Sequence, residues 1–143
     1  MCIRDRALSE RDLPHELINV AFIESGFKLQ ATSKKRARGL WQFIKSTARA
    51  YGLRVSLLQD DRLDPVKSSK AAAKYLADLH KEFDDWHLAI AAYNGGPGRV
   101  RRAIKATGSR DFFVLARAGK FKRETANYAV SYTHLTLPTI CSV

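Results

Sequence analysis

Residues 64–83 constrain the fold more than any other stretch. Asp64-Pro65 supplies an N-cap followed by a proline whose fixed φ suits the first helical position. Ala72, Tyr75, Leu76, Leu79 and Phe83 then recur at helical spacing. A helix of roughly five turns with one apolar face must bury that face against other elements. The rest of the chain follows the same period. Pro14 fits a first turn, and Leu17, Ile18, Ala21 and Phe22 keep helical spacing until Ser25-Gly26 stops them. Residues 46–51 read as a short helix closed by Gly52. Residues 86–93 are apolar enough for the centre of a core, and Asn94-Gly95-Gly96 ends them. Residues 98–107 form a further helix with Val100 and Ile104 inward, closed by Gly108. Short helices over 111–118 and 122–131 complete the pattern. Alternating β-branched runs are missing, and residues 29–44 suit irregular or short extended structure. The expected class is mainly α.

A chain of 143 residues suffices for one domain with a continuous core. With 45% hydrophobic and 27% charged residues, most of the chain is expected to be ordered. No apolar run reaches the ~18 residues of a membrane span, and no secretory apolar segment is present. The expectation is a cytosolic chain or a piece whose targeting segment lies elsewhere. The net charge of +11 attracts polyanions: nucleic acid, anionic lipid or acidic envelope polymers. Its cations are spread along the chain without zinc-finger spacing, an RNA-binding aromatic motif or a phosphate loop, so nucleic acid is not the expected partner. Cys2 and Cys141 lie at opposite ends, and His15, His80, His87 and His134 lack ligand pairing. No metal or cofactor is expected. Residues 1–6 carry no pattern, and residues 131–143 switch to Thr/Leu alternation around Pro138. Both ends are expected to be non-native or disordered, leaving 7–130 as the domain.

Glu24 is the residue with the sharpest chemistry. It ends an apolar helix, where unpaired carbonyls oppose a further negative charge. Phe22, Ile23 and Phe27 flank it and desolvate a carboxylate. Both effects favour the protonated acid, the form that glycosidic-bond cleavage requires of a general acid. A solvated glutamate at the end of an amphipathic helix is the alternative that position alone leaves open.

The blocks around it carry a resemblance. Glu24-Ser25, Ser33, Gly39-Leu40-Trp41-Gln42-Phe43, the run from Ala92-Tyr93-Asn94-Gly95-Gly96 to Val100, and Glu124-Thr125 with Tyr128 occur in order. Over about residues 13–130 the chain resembles the lytic transglycosylases, lysozyme-like bacterial enzymes that cut peptidoglycan. With Trp41 in the second block, Leu13-Pro14 upstream and Asp61-Arg62-Leu63-Asp64-Pro65 downstream, it resembles in particular the membrane-bound lytic murein transglycosylase D type. The resemblance implies a single, mainly helical lysozyme-like domain (α+β superfamily) with a glycan-binding groove between two lobes. It implies a monomer in the periplasm or cell envelope that acts on peptidoglycan glycan strands.

Residue by residue, the resemblance makes Glu24 the sole catalytic acid/base for the β-1,4 bond between N-acetylmuramic acid and N-acetylglucosamine. The muramic C6 hydroxyl attacks its own anomeric carbon and leaves a 1,6-anhydro ring. Common glycosidases need two carboxylates; a substrate carrying its own nucleophile needs one. Ser33 and Gln42 would bind sugar, against loop capping and side chain-to-backbone bonding as their plain roles. Tyr93 and Asn94 would also bind sugar, against a core aromatic and a helix C-cap. Gly95 and Gly98 are assigned to turning the backbone. Glu124 and Tyr128, four apart on one helix, would both face the groove wall, with Glu124 supporting rather than acting as a base. The acids Asp60, Asp61 and Asp64 read as loop and helix-cap residues. The rival functions are a goose-type lysozyme-like hydrolase, an inactive peptidoglycan-binding module and, from charge alone, a nucleic-acid binder.

Overall fold

In the computed structural model, which describes residues 3–132, Asp64 opens the long helix as expected. Its Oδ1 accepts from the backbone N–H groups of Val66 and Lys67, both at 2.9 Å, satisfying two of the donors that a helix start leaves unpaired. The helices in chain order are α1 (Ile3–Ser9), α2 (Ile18–Ser25), α3 (Lys45–Ala50), α4 (Pro65–Phe83), α5 (Trp86–Gly95), α6 (Pro97–Thr107), α7 (Phe112–Arg117) and α8 (Arg123–Ser131). Short 3-10 turns lie at His15–Leu17 and Asp61–Leu63. Among the described residues no strand forms; Thr32–Arg38, Arg38–Phe43 and Val55–Asp60 make isolated antiparallel bridges. Helix α1 begins inside residues 1–6 and carries Ala7 and Leu8 into the interior. Of the segment 131–143, only Ser131 and Tyr132 fall within the described residues.

The described residues form two compact units, 3–75 and 76–132, and α4 runs from the first into the second. In the first unit, α1 and the 3-10 turn at residues 15–17 lie against α2. Leu17, Ile18, Val20 and Ala21 are buried there with Leu40, Trp41 and Phe43. Because α2 is apolar on nearly every side, burial rather than an amphipathic stripe stabilises so short a helix. It stops at Gly26, whose left-handed φ of 58° lets the backbone N–H reach the Phe22 carbonyl at 2.7 Å.

The second unit is built around α5, which packs on α6 and α8. Asp85 caps α5 through a 2.8 Å bond from the Leu88 N–H, and Leu88, Ala89, Ile90, Ala91 and Ala92 are all fully buried. On α6, Val100 and Ala103 face inward while Ile104 is only half-buried, which corrects the expected inward pair. Positions 100 and 103 are neighbours on a helix as close as 100 and 104, and the small alanine fits the contact. Phe112 of α7 is buried and stacks on Phe121 with ring centroids 5.7 Å apart.

Asp64→Ala removes both cap bonds of α4 while leaving Pro65 in place. The expected loss is about 1 kcal/mol, read as a lower denaturation midpoint with an unchanged m-value.

Candidate active site

Glu24 occupies the last turn of α2 and is partly exposed. Aromatic residues flank it in the chain. Phe22 and Phe27 meet with ring centroids 5.2 Å apart, and the Arg4 guanidinium lies 3.9 Å above the Phe27 ring. The helix end is fixed by the next residue. The Ser25 Oγ lies 2.9 Å from the Ala21 carbonyl within α2 and 2.7 Å from the Leu40 carbonyl, to which its hydroxyl donates. One hydroxyl thus ties the turn carrying Glu24 to the loop carrying Gln42.

That loop is held through both its backbone and its side chains. The Gly39 N–H donates to Ala31 at 2.9 Å. A side chain at Gly39 would be impossible: a Cβ there would sit 1.9 Å from the Arg62 carbonyl oxygen, and its φ is +85°. Trp41 is completely buried and its indole N–H donates to Ser69 Oγ at 2.9 Å. Gln42 takes a left-handed φ of 51°, unusual for a residue with a Cβ. Its side-chain amide offsets that conformation by donating to the Gly39 carbonyl at 2.8 Å and the Ala31 carbonyl at 3.0 Å. Both amide protons are therefore engaged with backbone, and Oε1 is the atom left to meet a ligand donor. Ser33 is exposed, and its Oγ accepts from the Ala37 N–H at 3.1 Å, closing the basic tip at residues 33–37. The hydroxyl proton of Ser33 remains for donation.

Beneath the loop lies a buried ion pair. Arg62 is 6% exposed, and its Nε and Nη2 donate to the two oxygens of Asp60 at 2.8 and 2.7 Å. Nη1 donates to the carbonyls of Arg36 at 3.1 Å and Phe43 at 3.2 Å. One guanidinium thereby closes both ends of the segment containing Gly39, Trp41 and Gln42. Asp60 also accepts from Arg38 at 3.1 Å. Chiefly through the Arg62 hydrogen bonds, the Asp60 carboxyl is held down at about 2, with Arg38 adding to the effect against the opposing pull of burial. Asp61 is likewise lowered, first by the Arg54 backbone N–H at 2.9 Å and then by Gln59. The acids read as loop and cap residues are structural as expected, but Asp60 does far more than cap a turn.

The remaining candidates belong to the second unit. Tyr93 and Asn94 are partly exposed in the last turn of α5. The plain alternative for Asn94, a helix C-cap, is not what forms; the helix continues through Gly95, and Gly96 is the cap with φ 89° and ψ 140°. The assignment of turning roles to Gly95 and Gly98 is corrected in the same way, since both are helical and Gly96 makes the turn. Gly95 serves close packing instead: a Cβ there would lie 3.3 Å from Thr125 Cγ2, where α5 meets α8. Glu124 and Tyr128 do not share an environment. Glu124 is exposed in the first turn of α8, where an acid suits the helix dipole, while Tyr128 is buried beside Thr125 and Ala129.

The Transglycosylase SLT domain model matches residues 1–115. The chain belongs to the transglycosylase SLT family. It is 45% identical over 113 residues to membrane-bound lytic murein transglycosylase D of Escherichia coli K12, covering 76% of this chain and 25% of that protein. An inactive mutant of lytic transglycosylase Slt from Pseudomonas aeruginosa superposes with a TM-score of 0.70 at 32% identity, covering 90% of this chain and 23% of that one. The soluble lytic transglycosylase Slt70 of Escherichia coli gives a TM-score of 0.77 at 25% identity, covering 91% of this chain and 22% of that one. The SLT chain thus has the mainly helical, lysozyme-like fold, and it spans about a quarter of the length of these relatives.

Sequence reasoning missed Ser25 and Arg62 as organisers of this SLT domain. The first stood in a quoted motif without a role. The second lay in an acid-rich segment that signals a solvated loop, although three nearby acids around one arginine do hint at a pair.

Asp60→Asn leaves Arg62 buried without its counter-charge, and a loss of about 3 kcal/mol or more is expected. The wild-type pair also sets an acid limit. Asp60 titrates below its unfolded value of 3.8, so its contribution is present in full above pH ~4 and is lost as pH falls through about 2. The shift corresponds to about 2 kcal/mol. Chemical denaturation at a series of acidic pH values should show that decline in the wild type and a shallower one in Asp60→Asn.

Proposed function

We propose that this SLT domain is the catalytic part of a lytic transglycosylase that cleaves the β-1,4 bond between N-acetylmuramic acid and N-acetylglucosamine without consuming water. The observation carrying this reading is the placement of Glu24. It is a partly exposed carboxyl in the last turn of an apolar helix, and Ser25 fastens that turn to the Gln42 loop at 2.7 Å. The identity to a lytic murein transglycosylase over 76% of the chain supports it. So does the likeness to lytic transglycosylases of known structure.

The chemistry follows from one carboxyl used twice. Protonated Glu24 gives its proton to the glycosidic oxygen as the bond to the muramic anomeric carbon breaks, releasing the N-acetylglucosamine side as an alcohol. The resulting carboxylate takes the proton from the muramic C6 hydroxyl as that oxygen bonds to the anomeric carbon. The proton count returns to its start and a 1,6-anhydro ring remains. A nucleophile inside the substrate has a high effective concentration, which removes the need for a second carboxylate to activate water. In this reading Glu124 holds no proton-transfer role, consistent with its place in the first turn of α8.

Gln42 contributes through Oε1, which can accept from a sugar hydroxyl or acetamido N–H while its amide protons stay on the loop. Ser33 contributes a donor at the loop tip. Tyr93 and Asn94 supply a phenol and an amide suited to N-acetyl sugars, and Tyr128 supports them from the interior of α8. The protein is placed in the bacterial cell envelope, where its polymer lies. Among the described residues no helix is long and apolar enough to cross a membrane.

Purified sacculi digested with the protein should release muropeptides with anhydro ends, one water lighter than reducing ends, by mass spectrometry. Glu24→Gln should lower turnover by about three orders of magnitude or more, as expected when a general acid and base are removed together. Reducing ends in the wild-type digest would instead identify a hydrolase. Equal failure of wild type and mutant, with both retained on sacculi, would identify a binding module.

A further inference from the structure

We propose that the turn at residues 56–59 and the basic cleft beside it form a peripheral binding face for an anionic phospholipid bilayer. Leu57 and Leu58 enter the lipid interface, and the cleft receives headgroup phosphates. The inference does not rest on the assignment of Glu24.

The leucines are the first observation. Leu57 is 104% exposed and Leu58 is 100% exposed, against 51% for Phe113, the next among the large apolar residues described. Isolated exposed leucines need no explanation, but an adjacent pair held fully in water by a rigid turn does. The Ser56 N–H donates to the Gln59 carbonyl at 2.7 Å, and Ser56 Oγ accepts from the N–H of Gln59 at 3.0 Å and of Leu58 at 3.3 Å. The bridge between Val55 and Asp60 closes the turn below them, and the Arg49 guanidinium donates to the Val55 carbonyl at 2.6 Å. These bonds hold the backbone of the turn in a form that leaves both leucines exposed. It presents them.

Charge is the second observation. Beside the base of the turn is an open cleft of about 500 Å³ lined by Arg11, Arg54, Lys67, Lys70 and Lys74, with Tyr51 in its wall. Asp61 is the single acid lining it, and its carboxylate is already taken up by the Arg54 N–H, Gln59 and Lys67. Turn and cleft share a frame, because Asp61 bonds to Gln59 of the turn and to Arg54 and Lys67 of the cleft. A soluble polyanion would use the cations and leave the leucines in water. An anionic bilayer surface satisfies both at once, since apolar insertion and attraction to negative headgroups are the two terms that hold proteins at that interface. A protein partner fits less well, because the leucine pair is flanked in the chain by the polar residues Ser56 and Gln59, whereas a protein interface needs a broader apolar centre.

The full chain should co-sediment with vesicles of phosphatidylglycerol mixed into phosphatidylcholine and stay in the supernatant with phosphatidylcholine alone. Leu57→Ser/Leu58→Ser should weaken binding by about ten-fold or more, and Lys70→Gln/Lys74→Gln on the order of twenty-fold, with melting temperatures unchanged. In Leu57→Trp the fluorescence should gain a blue-shifted component on the anionic vesicles. Equal binding by the serine variant, or unshifted emission from the tryptophan variant, overturns the insertion and leaves charge alone. Release by inorganic phosphate where chloride of equal ionic strength has no effect also overturns the proposal, in favour of a soluble-anion site. Absence of binding to either vesicle overturns it outright.

Discussion

The bonds of Arg62 are the constraint on which the first unit depends. A guanidinium has five donors in a fixed plane, and this one places two on Asp60 and directs a third nitrogen at two carbonyls seven residues apart in the chain, Arg36 and Phe43. The intervening segment has no ladder and no helix to set its shape, so its geometry comes from what its backbone bonds to. The Arg62 carbonyl then occupies the space where any side chain at Gly39 would stand. The same residue therefore fixes the loop from its side-chain end and screens the choice of residue from its backbone end. A buried pair of this kind adds little net stability compared with a well-packed apolar core. What it supplies is one defined conformation for a stretch that would otherwise have many.

With the loop fixed, the other contacts acquire direction. Trp41 anchors it to α4 through Ser69, and Ser25 anchors the end of α2 to it through Leu40. Glu24 is thereby held on a chain of bonds running from the buried arginine to the helix terminus. Gln42 spends both donors on maintaining its left-handed backbone, which restricts what its side chain can offer a ligand to a single acceptor. The catalysis proposed for one carboxyl would depend on the substrate's own hydroxyl reaching the anomeric carbon in the right orientation. Loss of positional precision would then cost rate even where every reacting group is intact.

The helical architecture was legible because its signals are local. Asp64 and Pro65 mark the start of α4 whatever surrounds them, and Gly26 and Gly108 take the left-handed φ that helix ends require. Glu24 was legible for the same reason, as an acid placed where its helix stops, and the motif blocks added the candidates around it. The loop was not. Arg62 reaches residues 19 and 26 positions away, and no periodicity or cap rule announces such a bond. The end of α5 misled for a different reason. In Asn94-Gly95-Gly96 any of the three could terminate a helix, and the choice of Gly96 follows from the need of Gly95 to lie flat against Thr125, a contact made across α5 and α8. Tyr128 and Glu124 are four apart in sequence, but α8 buries only the stripe that meets α5, and Glu124 lies off it.

The distribution of charge around the first unit bears on how such a domain meets its surroundings. A net charge of +11 can arise from many scattered cations, and most of these are solvated and say nothing about partners. The cleft next to the leucine turn differs because its one acid is internally neutralised, so its field is of a single sign. Placing the apolar pair on the same frame makes the two features one surface. Electrostatic attraction acts over about a Debye length and orients the approach, while apolar insertion acts only on contact. A domain held in this way would keep its orientation toward a planar boundary. Nothing local in the sequence announces it: two adjacent leucines carry no mark of exposure, and it is the Ser56 turn that holds them out of the core.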